Sequence, residues 1–123
     1  MQPESPALIW DARRAAGRVL EFVAGRSWDD YQKDVMLRSA VERQFQIIGE
    51  ALNRLSKVDP GTAGRVPDLA RIVAFRNVLV HGYAQIDDAL VWEVASTRVL
   101  ELTAVLAGLL DGTGAASSER GTD

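Results

Sequence analysis

Hydrophobic residues recur every three or four positions along most of this chain, and this spacing predicts four helices. The first covers residues 6–24 and the second, the longest, covers residues 28–57. The third covers residues 67–81, and the fourth begins just after Asp87 and ends near residue 110. No segment alternates hydrophobic and polar residues as a strand would. We therefore expect an all-α fold, and because the connections are short we expect an antiparallel four-helix bundle.

The residues between the helices support these boundaries. Asp59, Pro60 and Gly61 follow the second helix, and a proline after a helix prevents its continuation. We expect a loop at residues 61–66, with Pro67 in the first turn of the third helix. Gly82 would end that helix, since glycine is common just past a helix end.

One face of the second helix is expected to be buried. Its inward stripe consists of Leu37, Ala40, Val41, Gln44, Ile48, Ala51, Leu52 and Leu55. Met36 and Ile47 lie to one side of this stripe and widen the apolar surface. In so small a bundle, a second apolar face indicates a partner, such as another copy of the chain. Trp10, Trp28 and Trp92 are expected to be core or interface anchors.

The composition fits one small domain and excludes several kinds of site. We expect a flexible N-terminus at residues 1–6, a helical domain at 7–111 and a disordered tail at 112–123, which has few apolar residues. The absence of cysteine excludes thiol catalysis, and one histidine excludes a histidine-rich metal site within a single chain. With no signal peptide or membrane-spanning run, we expect a soluble cytoplasmic protein. A net charge of −3 argues against a broad basic surface, although a local cluster of arginines could still hold phosphates.

The candidate chemistry lies at residues 76–83, which contain the single histidine of the chain, His81, between Arg76 and Tyr83. Arginine is a permanent cation, and histidine titrates near neutral pH. On a helical projection Arg76 falls within an apolar arc, so its guanidinium must find acceptors or border a cleft. His81 lies roughly 140° around the helix from Arg76. A helix end at Gly82 would allow the chain to turn and bring His81 and Tyr83 near the arginine.

The same residues also have a purely structural interpretation. Arg76 could be an ion-pair anchor, His81 a cap that satisfies the helix end, and Tyr83 a surface aromatic residue. Arg43 and Glu50 are seven residues apart, on one line outside the apolar stripe of the second helix. Taken alone, that pair is typical of a solvated or interface contact. The pattern of residue types leaves both interpretations open.

Two segments resemble a known family. Residues 38–51 (RSAVERQFQIIGEA) and residues 76–83 (RNVLVHGY), followed by Ile86-Asp87 and Val91-Trp92, are similar to the HepT-like branch of the HEPN superfamily. The resemblance extends from about Leu8 to Leu110. The spacing of an arginine, four residues, a histidine, any residue and a tyrosine is specific in that context, and the motif is intact here.

The resemblance implies a HEPN-type homodimer in which two copies of the motif face a shared cleft. It implies a metal-independent endoribonuclease without a cofactor, acting as the toxin of a type VII toxin–antitoxin pair. Its partner would be a nucleotidyltransferase of the MntA type, which neutralises such toxins by transferring AMP to the motif tyrosine, here Tyr83. Arg76 and His81 would be catalytic, with Asn77, Glu50 and Arg43 in supporting positions.

The residue types suit that chemistry. Histidine can transfer protons, arginine can hold a phosphate, and Asn77 could orient His81 or contact the phosphate. One histidine per chain makes a cleft formed by two chains attractive, since RNA cleavage needs both an acid and a base. Two other functions stay open, a non-catalytic helical dimerisation module and a nucleotide-binding subunit that serves a nucleotidyltransferase.

Overall fold

A computed structural model describes residues 1–81 and 86–122, with His81 and residues 113–122 described by their backbone alone. Within these residues every regular element is a helix, so the predicted all-α bundle is confirmed. In chain order the helices are α1 (Ser5–Val23), α2 (Trp28–Lys33), α3 (Val35–Val58), α4 (Pro60–Ala63), α5 (Leu69–His81), α6 (Asp88–Thr97) and α7 (Val99–Thr122). None of the described helices has the length and hydrophobicity needed to cross a bilayer.

The centre of the bundle is α3, which packs against α1 on one side and α5 on another, while α7 covers α1. Contacts near both ends show that α1 and α3 are antiparallel. Arg54 pairs with Glu4 at one end, and Arg26 pairs with Asp34 at the other. All of the predicted inward stripe of the second helix is buried except Ala40, which is half-buried. The fully enclosed large side chains include Ile9, Tyr31, Ile48, Leu52, Leu55, Val91 and Leu106.

The second predicted helix is two helices, and this correction has a local cause. Asp34 has an extended backbone (φ −108°, ψ 98°), which ends α2, and its carboxylate accepts a hydrogen bond from the Leu37 amide at 3.0 Å. Aspartate is a preferred N-cap residue, so a new helix begins after Asp34. The apolar periodicity shows no break at this position, which is why a single helix was expected. The fourth predicted helix is likewise interrupted, at Arg98 (φ −107°, ψ −25°).

Asp59 organises the region where the loop at residues 61–66 was expected. Its Oδ1 accepts from the Thr62 amide at 3.2 Å and caps α4, so part of that expected loop is helical. Its Oδ2 accepts from the hydroxyls of Ser5 and Thr62, both at 2.7 Å, and from the Gln2 amide at 3.0 Å. The bonds from Gln2 and Ser5 tie the start of α1 to the residue that follows α3. The predicted limits of the domain at residues 7 and 111 stay predictions.

Two other helix boundaries differ from the expected ones. Pro67 precedes α5 rather than joining its first turn, because Asp68 has a positive φ of 59°, which no α-helix accommodates. The backbone of α7 is helical to Thr122, beyond the expected end near residue 110. Side chains beyond Gly112 lie outside the described residues, so the disordered tail at 112–123 also stays a prediction.

Candidate functional site

The candidate site is built where α5 crosses α3 at closest range. Gly49 of α3 is buried, and a Cβ placed on it would overlap the Cβ and Cγ of Arg76. The Arg76 backbone Cα would lie 3.5 Å from that atom. Phe45 and Phe75 meet beside this contact edge to face, with ring centroids 5.2 Å apart. The absence of a side chain at Gly49 therefore determines how near α3 the arginine can lie.

The Arg76 guanidinium finds its acceptors at the edge of this crossing. Its Nη2 lies 3.4 Å from Glu50 Oε1, and its Nη1 donates to Asn77 Oδ1 at 2.9 Å. Its Nε is buried and has no hydrogen-bond partner among the described residues. The side chain is 22% exposed, while that of Glu50 is 50% exposed. Arg76 thus has the predicted acceptors and also remains accessible from solvent.

This arrangement leaves the cation available to an anion. At 3.4 Å the bond to Glu50 is longer than a typical charge-assisted hydrogen bond, and the carboxylate is half in water. A phosphate group could therefore displace or join Glu50 at modest cost. A guanidinium offers two parallel donors, which suit two phosphate oxygens.

The other predicted site residues have different outcomes. The last described residue of α5 is His81, whose side chain lies outside the described residues. Gly82 and Tyr83 lie outside them entirely, so the helix end expected at Gly82 stays a prediction. Arg43 is exposed, and its Nη1 donates to Gln46 Oε1 at 3.3 Å. Among the described residues Arg43 forms no hydrogen bond or ion pair with Glu50 or Arg76. Glu50 is the residue of α3 that forms an ion pair with Arg76.

The tryptophans are not deep in the core. Trp10 is 49% exposed and Trp28 is 36% exposed. Trp92 is half-buried and packs on Tyr31, with ring centroids 5.3 Å apart. Trp92 thus packs against the edge of the core, and Trp10 is a surface residue of α1.

A groove opens next to the candidate site. Its volume is about 340 Å³, and it lies between α1 and α3. Its lining residues are Leu8, Asp11, Arg14, Ala15, Arg18, Gln44, Ile47, Glu50 and Ala51. Glu50 therefore lines the groove and pairs with Arg76 at the same time. Sequence reasoning missed this groove, although the spacing of Arg14 and Arg18 by one helical turn was a signal that could have indicated it.

Comparison with known proteins identifies the family of this chain. Residues 12–108 match the family model described as Ribonuclease HepT-like. The chain is 31% identical over 93 residues to "Putative RNase MJ1380" of Methanocaldococcus jannaschii, covering 76% of this chain and 84% of that protein. It is 33% identical over 84 residues to "Putative RNase TTE0752" of Caldanaerobacter subterraneus subsp. tengcongensis, covering 68% and 74% respectively. No solved structure gives a significant match.

Proposed function

The chain belongs to the HepT-like ribonuclease family, and from this premise we propose that it is the toxin of a type VII toxin–antitoxin pair. In this proposal it cuts RNA in the cytoplasm without a metal ion. The observation that carries the proposal is the position of Arg76, which the α3–α5 crossing holds at an accessible edge of the bundle. Arg76 lies on the same helix as His81, which is the last described residue of α5.

The proposed reaction uses the 2′-hydroxyl of the RNA as its nucleophile. A histidine removes the proton from this hydroxyl while its oxygen attacks the adjacent phosphorus. The bond from phosphorus to the 5′-oxygen breaks, and that oxygen takes a proton from an acid. The products are a 2′,3′-cyclic phosphate and a free 5′-hydroxyl. A positioned acid or base typically contributes roughly 10²–10⁴-fold to such a step.

In this mechanism Arg76 binds the phosphate and stabilises the negative charge that develops on it. Asn77 accepts a hydrogen bond from the Arg76 Nη1, which limits the rotation of the guanidinium. Glu50 holds the other amino group, and this contact persists when the phosphate binds beside it. These two contacts keep the cation oriented before RNA binds, so less ordering is left to the binding step.

A homodimer would supply the second proton-transfer group. Each chain has one histidine, whereas the reaction needs a base and then an acid. Two copies of the motif facing one cleft would provide both. The surface has apolar residues that could support such a contact, since Met36 is 80% exposed and Val78 is 51% exposed.

Control by a nucleotidyltransferase of the MntA type completes the proposal. Transfer of AMP to Tyr83, two residues after His81, would add bulk and a phosphate charge beside the catalytic residues. The added phosphate would compete with RNA for Arg76. The modification would thus silence the nuclease without unfolding it.

The proposal is tested in cells by induced expression with and without a nucleotidyltransferase partner. We expect growth arrest from the wild-type chain, none from His81→Ala, and rescue by the partner. Intact mass of the co-expressed chain should rise by whole AMP units, and Tyr83→Phe should abolish the increase. Harmless expression of the wild-type chain would instead favour a non-catalytic module that serves its partner.

A further inference from the structure

One edge of α1 carries three side chains that are suited to nucleic acid. Trp10, Arg14 and Arg18 are spaced by four residues and therefore lie along one side of the helix, one turn apart. Trp10 is 49% exposed, and the guanidinium carbon of Arg14 lies 5.3 Å from its ring centroid. An exposed aromatic ring beside arginines is the arrangement by which proteins bind single strands, with bases on the ring and phosphates on the cations.

These arginines border the groove between α1 and α3. Arg14 and Arg18 line its α1 wall, and Gln44 and Glu50 line its α3 wall. Gln44 is 8% exposed, and its Oε1 is buried without a hydrogen-bond partner in the part of the chain that the structure describes. A buried amide oxygen without a partner is costly, so a ligand that donates a hydrogen bond to it is favoured. The base edges of an unpaired strand are such donors.

The charges along the groove favour an anionic ligand. Within the part of the chain that the structure describes, Arg26, Lys33, Arg38, Arg54, Arg76 and Arg98 form ion pairs, and neither Arg14 nor Arg18 does. The groove also contains the carboxylates of Asp11 and Glu50. The charge of Glu50 is offset by Arg76. The remaining charged groups of the groove are Asp11, Arg14 and Arg18, which together carry a net positive charge.

We propose that the Trp10–Arg14–Arg18 edge and the adjoining groove bind the single-stranded RNA substrate and lead it to Arg76. Consecutive arginines one turn apart are about 6 Å apart along the helix axis, a separation comparable to that of successive phosphates in an extended strand. Glu50 connects the groove to the catalytic arginine, so a strand that follows the groove reaches Arg76. This inference rests on the proposed function, because it names the path of that substrate.

The test separates binding from cleavage by using two oligonucleotides of the same sequence. Unmodified RNA measures cleavage, whereas fully 2′-O-methylated RNA has no free nucleophile and measures binding alone. Binding is followed by fluorescence anisotropy of a labelled 12-mer (roughly the site size of single-strand binding folds) over a range of salt concentrations. The variants are Arg14→Ala, Arg18→Ala, Trp10→Ala and Trp10→Phe. Arg13→Ala, an exposed arginine of α1 outside the groove, is the matched control.

We expect Arg14→Ala and Arg18→Ala each to weaken binding roughly 5- to 10-fold and to lower the salt slope by about 0.7, the loss of one phosphate contact. Trp10→Ala should weaken binding roughly 5- to 100-fold, and Trp10→Phe should recover most of it. Arg13→Ala should remain within about twofold of wild type. The inference is overturned if the groove variants match Arg13→Ala, or if the wild-type chain does not bind the methylated strand.

Two further outcomes distinguish this inference from its alternatives. Binding that depends on the groove without any cleavage of unmodified RNA contradicts the proposed nuclease and leaves the binding surface standing. Light scattering could show that Trp10→Ala or Arg14→Ala no longer dimerises although its RNA affinity is unchanged. That result would show that the edge is an interface between copies, and it would overturn the inference.

Discussion

Gly49 and Arg76 are in direct contact at the crossing of α3 and α5, with no room for a side chain on the glycine. This contact places the arginine, and the adjacent Glu50 then engages its guanidinium. The position of the proposed catalytic cation is thus a consequence of one missing methyl group.

Replacing Gly49 by alanine is expected to push α5 away from α3. Overpacking of this kind lowers the free energy of unfolding by roughly 1–3 kcal/mol. Because Arg76 would be displaced with α5, the rate of RNA cleavage should fall at least about tenfold. Both are measured on the purified variant, by urea denaturation and by a cleavage assay at a temperature where it is folded. The control is Gly17→Ala on α1, where nothing lies within 4 Å of the new Cβ. That variant should be as stable as wild type or more so, and equal behaviour of the two variants would contradict the account.

Glu50→Gln tests whether the carboxylate orients the arginine. The substitution keeps the shape and removes the charge from a half-exposed ion pair, which contributes about 0.2–1 kcal/mol. We expect kcat for RNA cleavage to fall roughly two- to fivefold, with no increase in KM because the groove loses a negative charge. Glu101→Gln, at an exposed position of α7, is the control and should leave both parameters unchanged. An unchanged kcat in Glu50→Gln would exclude the orienting role.

The buried hydroxyl of Tyr31 has no hydrogen-bond partner among the described residues, and its side chain is 0% exposed. Burial raises the pKa of this phenol, and the nearby carboxylates of Glu42 and Asp88 raise it further, so the hydroxyl stays neutral. Removing an unpaired buried hydroxyl relieves its desolvation cost of roughly 1–3 kcal/mol. Tyr31→Phe should therefore have a higher Tm than wild type in calorimetry. A lower Tm would show that the hydroxyl has a bonding partner in solution.

Asp59 is expected to make folding sensitive to acid. Hydrogen bonds from the Ser5 hydroxyl, then from the Thr62 hydroxyl and the Gln2 amide, hold the pKa of its carboxyl well below the usual range. The ionised form is favoured in the folded state, so its stabilisation is complete above the unfolded pKa of about 3.9 and declines as pH falls below it.

Asp59→Asn should thus be less stable than wild type at pH 7, and the difference should shrink at pH 3. The measurement is the midpoint of urea denaturation at both pH values. Asp111→Asn, an exposed position on α7, should change neither midpoint. A difference between wild type and Asp59→Asn that grows as pH falls would contradict the assigned role.

The helices could be predicted from sequence because apolar periodicity reports directly on which face is buried. The break at Asp34 could not be predicted, since an aspartate at such a position can lie on a helix surface or cap a new helix. Only the backbone conformation of Asp34 distinguishes the two. Arg76 could be identified as a cation in need of acceptors, and the family resemblance placed Glu50 in a supporting position, but the sequence did not indicate that these two residues pair. That pairing depends on how two helices cross, which is set by close approach at Gly49 and leaves no periodic signal.

The most direct test of the central claim is cleavage of RNA by purified protein in the presence of EDTA. The wild-type chain should cut the RNA and leave 2′,3′-cyclic phosphate ends, which mass spectrometry identifies. Arg76→Ala and His81→Ala should each be at least about 100-fold slower, with circular dichroism spectra that match the wild type. Cleavage by His81→Ala at the wild-type rate, or no cleavage by the wild-type chain in EDTA, would contradict the account.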